Sequence, residues 1–272
     1  MSTRAGLHTA TVVAREQVSP HLVRLRLSGA GMGGFTSSGV PDEWVSLVVP
    51  GQFQARYYTV RSWDGAELVL DVVVHDEGLV TEWVARDCTG EEVVVSDARG
   101  SYDPPPDAGW VVLVGDLTAL PAMARVCETT DLPVRVWAEV PDDPRLLADY
   151  LPTSGAGGAE VTWVPSPGDG TSGLAAVVEE LVWPDGPGYF WMAGESSQMR
   201  AIRKQVMREK RLASHEYAVM GYWRAHARRQ PRSVDPGPIW RAGKAAGKTD
   251  EQIWADYDAA QQRQQQDEAN DG

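Results

Sequence analysis

The sequence predicts two domains of different construction: an N-terminal antiparallel Greek-key β-barrel, then a doubly wound parallel-sheet α/β domain with a helical C-terminal tail. Three observations carry this. Residues 1–103 read as short strands interrupted by a single helix; Asp103-Pro104-Pro105-Pro106-Asp107 suits neither a helix nor a central strand; and from Trp110 onward strand-like apolar runs alternate with helical ones. Proline fixes φ and has no amide donor, so the proline run is the natural boundary. The expected division is 1–103, 108–226 and a tail of 227–272.

Taken in order, strands are expected over Thr11–Arg15 and His21–Ser28. The second alternates cleanly, with Val23, Leu25 and Leu27 on one face and Arg24 and Arg26 on the other. The glycine-rich loop 29–39 follows. Glu43–Val49, closed by Pro50-Gly51, comes next, then a strand opening at Arg56, and Glu67–Val74 after the Asp64-Gly65 turn. A helix over Leu79–Arg86 enters after Gly78, and Glu91–Val95 is the last strand of the set. A barrel removes the edges that such short strands would otherwise expose. Beyond the prolines, strands are expected over Trp110–Val114, Val134–Val140, Glu160–Val164, Gly188–Ala193 and Tyr217–Met220. Helices are expected over Ala119–Glu128, Pro144–Tyr150, Leu174–Leu181 and Ser196–Arg211. Strand and helix in alternation imply a parallel sheet. In the tail, Trp240–Lys248 and Thr249–Gln262 look helical, and 261–272 is polar enough for disorder.

Composition narrows the classes. With 43% hydrophobic residues the 272-residue chain can build real cores, and no run approaches the roughly 18 apolar residues of a membrane span. The N-terminus has no apolar leader, so a cytoplasmic protein is expected. Cys88 and Cys127 stand apart with no metal-ligand spacing, which excludes a disulfide framework and a cysteine-based metal site; no metal is expected. The net charge of −13 argues against nucleic acid as a partner. It is unevenly spread: residues 200–248 carry 13 Lys or Arg against three acids, while 1–199 sum to −17 and 249–272 to −6. A cationic segment on an acidic chain suits an anionic ligand, and equally a solvated helix face.

The stretch Arg56-Tyr57-Tyr58-Thr59-Val60-Arg61 fits R-x-Y-[ST] at a strand start. Such a set suits a flavin: an arginine for a pyrophosphate, an aromatic face and two hydroxyls. A half-buried strand would also look this way. The turn Val114-Gly115-Asp116-Leu117-Thr118-Ala119-Leu120-Pro121-Ala122 comes where an open α/β sheet places its ligand, outside the carboxyl end of the first strand, although G-x-G-x-x-G is absent. A tight turn with Pro121 in the first helical turn is the plain alternative.

Together these residues resemble the siderophore-interacting proteins, the flavin-dependent ferric-siderophore reductases of the ferredoxin-reductase-like group. The likeness runs from about Thr11 to Arg224. It includes Val13, Ser19, Pro20, Arg24, Leu27, Ser28 and Gly29, then the Arg56 motif, then His75, Gly78 and Trp83, then Arg99-Gly100. It continues through Gly115 to Ala122, Ala193-Gly194-Glu195, Arg200 and Arg203, and ends on Gly221-Tyr222-Trp223-Arg224. The resemblance implies FAD held by Arg56 near the phosphates, Tyr58 against the isoalloxazine, and Thr59 and Val60. It puts His75 beside the cofactor and Gly78 and Thr81 at a helix start facing the pyrophosphate. It implies NADH or NADPH as donor, against Gly115, Asp116, Thr118, Ala119, Gly194 and Glu195. Tyr222 and Trp223 are either a core aromatic pair or a border to the flavin.

The resemblance further implies a ferric siderophore as acceptor, and no catalytic acid or base, because reducing Fe(III) in a chelate needs positioned partners rather than proton transfer. Siderophore complexes are commonly anionic, so a cationic rim is expected among Arg224, Arg228, Arg229, Arg232, Lys244 and Lys248. Arg200, Arg203, Lys204 and Arg208 are expected to face solvent or the nucleotide phosphates. A monomer is expected. Four positions depart from the family pattern: Ser46 stands where a lysine is usual, Leu117 for an acid, Ala98 for a proline, and Pro165-Ser166-Pro167 where a histidine-arginine pair is usual. Two other readings stay open: a flavoprotein reductase serving a protein carrier, and a flavin-loaded binder of ferric siderophore without turnover.

Overall fold

The computed structural model describes residues 6–52, 54–75, 78–152, 159–168 and 170–224, with Ala246, Lys248, Gln252 and Ala259 beyond them. Met1–Arg224 forms one compact unit and Ala225–Gly272 a second. The expected tail helices and its expected disorder lie outside the described residues, apart from those four positions.

Six strands close the barrel: β1 (Leu7–Ser19), β2 (Leu22–Ser28), β3 (Trp44–Val48), β4 (Arg56–Trp63), β5 (Leu68–Val73) and β6 (Glu92–Ser96). Their order around it is β1-β2-β5-β4-β3-β6, and every pairing is antiparallel. Val23, Leu25 and Leu27 point inward to meet Val45, Leu47, Val60, Leu70, Val93 and Val95, as the alternation requires. β1 is much longer than the expected Thr11–Arg15. Its first half pairs with β6 and its second with β2, and irregularities after Val12 and Gln17 let one strand serve both neighbours. Helix α1 (Leu79–Ala85) plugs the barrel with Val80, Trp83 and Val84.

The second layer system is a parallel sheet of β7 (Val111–Asp116), β8 (Val134–Val140), β9 (Ala159–Pro165), β10 (Tyr189–Glu195) and β11 (Tyr217–Trp223), in the order β11-β10-β7-β8-β9. Alternation splits it between two cores. Val111, Leu113, Tyr189 and Trp191 pack with Leu120 and Met123 of α2 (Leu120–Thr129). Val112, Val114, Phe190 and Met192 pack on the other side with α3 (Leu174–Glu180) and α4 (Met199–Lys204). The strand order reverses between β7 and β10, which makes their carboxyl ends the crevice of the sheet.

Three expectations need correction here. The helix over Pro144–Tyr150 is a single 3-10 turn, Pro144–Leu147, because the crossover is pulled onto the barrel at both ends. The helix over Ser196–Arg211 is α4 followed by a π turn over Gln205–Glu209, and Arg211 then takes φ 58°. The last strand runs to Trp223 rather than Met220, which carries its aromatic pair into the crevice.

Barrel and sheet are joined through buried carboxylates. Asp71 of β5, with its side chain fully buried, takes two bonds of 2.8 Å from Arg24 and a third from the Tyr150 hydroxyl of the crossover. This bonding holds the Arg24 guanidinium charged, and burial beside Asp71 drives the Tyr150 hydroxyl well above its ordinary pKa. Arg24 and Arg61 both lie over the Tyr150 ring, at 5.8 and 5.6 Å. Asp142 accepts from Ser19 Oγ at 2.5 Å and meets His21 Nδ1 at 2.6 Å. Removing one member of a buried pair strands the other's charge. Arg24→Met is therefore expected to lower the unfolding free energy by about 3 kcal/mol in denaturant titrations. Arg145→Ala, at a pair where Arg145 is 90% exposed, is expected to leave it unchanged.

Candidate functional site

β4 begins at the barrel rim, where Arg56 lies opposite Leu47 of β3. Strand alternation puts Arg56 and Tyr58 on one face and Tyr57 and Thr59 on the other. Tyr58 packs against the barrel core, and burial pushes its hydroxyl up to about 12. Arg56 is exposed and, among the described residues, makes no ion pair; Tyr57 beside it is 71% exposed. Thr59 is buried. The Tyr222 hydroxyl of β11 lies beside it, buried and without a well-formed hydrogen bond. A cation and an open aromatic ring thus stand at the exposed start of β4, with Thr59 and the buried Tyr222 hydroxyl just beyond them, and these groups fit a ligand bearing phosphate and a flat polar ring. Val60 is different. Its side chain is in the barrel core, its N–H donates to Glu43 O and its carbonyl accepts from Arg125, so its place in the motif is structural.

Gly78 precedes α1 with φ 137°, and a Cβ there would stand 3.3 Å from His75 Cε1. The residue is glycine both for its backbone and for the imidazole beside it. His75 is exposed at the end of β5, while Thr81 is turned inward and buried. Of the flavin set, Arg56 and His75 are open to solvent, Tyr58 is half-buried, and Thr59, Val60 and Thr81 are buried.

At the carboxyl edge of the sheet, a Cβ on Gly115 would meet Ala119 Cβ at 2.5 Å and Met123 Cε at 2.6 Å. Close packing of helix on strand explains this glycine without invoking a ligand. Asp116 is buried and caps the turn over Leu117–Ala119 by accepting from Thr118 N at 2.9 Å; its other oxygen accepts from Trp223 Nε1 at 2.6 Å. Gly194, at φ 157°, brings its backbone against the same carboxylate, where a Cβ would lie 2.6 Å from Asp116 Oδ2. Glu195 is buried too and accepts from Ser197 N at 2.7 Å. Leu117 is buried in the α2-side core. The structure therefore gathers Gly115, Asp116, Thr118, Ala119, Gly194, Glu195 and Trp223 at the β7–β10 crevice. Both carboxylates hold turns rather than face outward.

The sequence reading missed Glu139, which lies buried on β8 level with Asp116. Its Oε2 accepts from Gly173 N at 2.7 Å at the start of α3. A single acid in an apolar strand pattern gave no periodic signal for this role. Of the expected cationic rim, Arg224 and Lys248 are exposed, and Arg228, Arg229, Arg232 and Lys244 lie outside the described residues. Arg203 is tied down, donating to the Val219 carbonyl at 2.8 Å. Among the described residues no cluster of His, Cys, Asp or Glu could hold a metal ion, and no helix is long and apolar enough to cross a membrane.

This closed barrel followed by a parallel five-stranded sheet is the ferredoxin-reductase-like fold. A ferredoxin NADP+ reductase from Neisseria gonorrhoeae, solved with FAD and NADP, matches with a TM-score of 0.64 over 81% of this chain and 100% of its own; at 15% identity this is a likeness of fold. Residues 108–226 match the family described as siderophore-interacting protein. A siderophore utilization protein from T. fusca is 28% identical with a TM-score of 0.70, covering 86% of this chain and 97% of that one. The ferric vibriobactin reductase ViuB of Vibrio cholerae is 26% identical over 241 residues, 78% of this chain and 87% of the relative. The family match covers residues 108–226, and over the longer chain the likeness is to a relative and a structure of 26% and 28% identity.

Burial raises the carboxyl pKa of Glu139, with the charge of Asp116 adding to it. A carboxyl raised on folding contributes stability that is full below its unfolded pKa and lost as pH rises through the folded one. Glu139→Gln keeps an oxygen for Gly173 N and cannot ionise. Its urea midpoint is expected to match wild type near about pH 4 and to exceed it near about pH 8. A constant offset at both values would contradict this assignment.

Proposed function

We propose that the chain is an FAD-dependent ferric-siderophore reductase driven by a reduced nicotinamide nucleotide. The observation that carries this reading is the line of groups along the barrel–sheet seam: exposed Arg56 and Tyr57, with Thr59 and the unpartnered Tyr222 hydroxyl beneath. Arg56 pairs with the FAD pyrophosphate, Tyr58 and Tyr57 offer aromatic surface, and Thr59 and Tyr222 offer hydroxyls to the polar edge of the ring system. His75 and the Gly78 turn close the phosphate end. The crevice from Gly115 to Ala119 and at Gly194 receives the nicotinamide nucleotide, with the Asp116–Trp223 hydrogen bond fixing the indole at its mouth. When bound, FAD supplies the conversion of a hydride donor into single electrons for Fe(III). The protein's own part is to bind, to align and to keep water from the donor site. The ferric siderophore is the substrate, and weaker binding of the reduced metal by hard oxygen ligands makes reduction equivalent to release.

Steady-state oxidation of reduced nicotinamide in the presence of a ferric siderophore tests the reading. Turnover with the chelate and little with a ferredoxin-type protein carrier is expected. The reverse pattern would assign the chain to a carrier-serving reductase, and FAD binding without turnover to a sequestering protein. Arg56→Ala is expected to weaken FAD binding about a hundredfold in a fluorescence titration, through the loss of a charge-assisted pair. Unchanged affinity would remove Arg56 from the site.

A further inference from the structure

The carboxyl edge of the sheet on its β8–β9 side is poor in cations. β7 ends on Asp116, and β8 carries Glu139 one residue from its end, with Asp142 and Asp143 just beyond. From Leu146 to Met199 the chain has no Lys or Arg against seven Asp or Glu. That stretch supplies most of the β8–β9 crossover, all of β9, α3 and β10, and the loops after β9 and β10. The cation just before it, Arg145, is held by Asp143 through Nε at 3.0 Å and a terminal nitrogen at 2.6 Å. Just after it, Arg200 and Arg203 lie on α4, which packs on β11 at the opposite margin of the sheet; Arg200 is exposed and Arg203 is bound to the Val219 carbonyl.

Reduced nicotinamide donors come in two forms, which differ by one phosphate on the adenosine 2′-oxygen, carrying about two negative charges at neutral pH. In open α/β sheets the pyrophosphate sits at the helix start after the first strand, and the adenosine ribose extends toward the second. There an arginine accepts a 2′-phosphate, whereas an acid accompanies a free 2′-hydroxyl. The first strand here is β7 and the second β8. Glu139, paired with Asp116 across the β7–β8 ladder, stands 24 residues after Gly115, where that selection is made. It is buried and engaged with Gly173, so it holds the α3 start in place rather than reaching a ligand. A 2′-phosphate brought over the carboxyl end of β8 would lose water and meet there only the Arg145 guanidinium, already engaged by Asp143; Arg135 lies at the amino end of β8, paired with Glu160 at 3.4 Å. An anion desolvated without a partner is rejected.

We propose that the nucleotide edge selects NADH over NADPH, because the ends of β8 and β9 and the loops beyond them offer a 2′-phosphate no cation besides Arg145, which Asp143 already engages. This rests on the chain being a nicotinamide-driven flavoprotein. The test titrates NAD+ and NADP+ into the FAD-loaded protein by calorimetry and follows anaerobic bleaching of the flavin by NADH and by NADPH. At least about tenfold tighter binding of NAD+ and a similar advantage in reduction by NADH are expected. Equal behaviour, or a preference for the phosphorylated pair, overturns the selection while leaving the donor reading intact. Failure of both nucleotides to bind or reduce overturns the donor reading and the selection with it. Ser166→Arg, which places a guanidinium in the loop after β9, is expected to raise NADPH efficiency about tenfold with NADH efficiency unchanged. An unaltered NADPH efficiency in a folded variant would show that charge at this edge is not the cause.

Discussion

Four buried carboxylates along the seam between barrel and sheet set the geometry on which everything else rests. Asp42 and Glu43 precede β3, Asp71 lies on β5 and Asp142 follows β8, and all are buried. Each finds a partner across the seam. Asp42 accepts from Trp191 Nε1 of β10, Glu43 from Arg125 of α2, Asp71 from Tyr150, and Asp142 from Ser19. Sliding one layer over the other would break all four contacts and strip the buried Asp142 of both Ser19 and His21, at a cost of several kcal/mol, while Asp71 would keep Arg24 and Glu43 its loop donors at Ser37 and Ser38. Barrel and sheet therefore hold a fixed register without a disulfide, through these bonds and through α2, whose Arg125 and Glu128 meet Glu43 and Arg61 of the barrel side.

That register is what brings β4 against β11. Thr59, two residues after the exposed Tyr57, comes to lie under Tyr222, and Tyr222 stands edge-on to Trp191 at 6.5 Å. Trp191 in turn donates to Asp42, so the clamp and the candidate flavin seam share a residue. The next residue of β11, Trp223, reaches Asp116 at the end of β7. A continuous run of contacts thus links the barrel rim to the switch point of the sheet, the two places a flavin and its nucleotide donor would occupy. Preorganisation of this kind is what electron transfer between bound partners requires of a protein.

Much of this was legible in the residues. Val23, Leu25 and Leu27 announce a barrel strand, the proline run at 104–106 falls between the last barrel strand β6 and the first sheet strand β7, and Val134–Val140 is the strand observed. Arg56 and Tyr58 stand out because a cation and an aromatic ring two apart on a strand share a face. The crossover after β8 was not legible. Its Pro144–Tyr150 pattern suits a helix, and only long-range partners on β1 and β5 divert it into one 3-10 turn. Tertiary contacts also decide Val60, whose motif position suggests a ligand and whose side chain fills the barrel. Gly115 likewise looks like a ligand-facing glycine and is fixed by Ala119 and Met123. Local pattern records periodicity and turn chemistry; it does not record which buried acid meets which donor from another layer.

The central claim is that the seam is a flavin site. The most direct measurement is the visible absorption spectrum of the purified chain after incubation with FAD and removal of unbound cofactor. The account predicts a yellow protein with flavin bands displaced from those of free FAD and a single FAD per chain. A colourless protein that also fails to change FAD fluorescence on titration would contradict it.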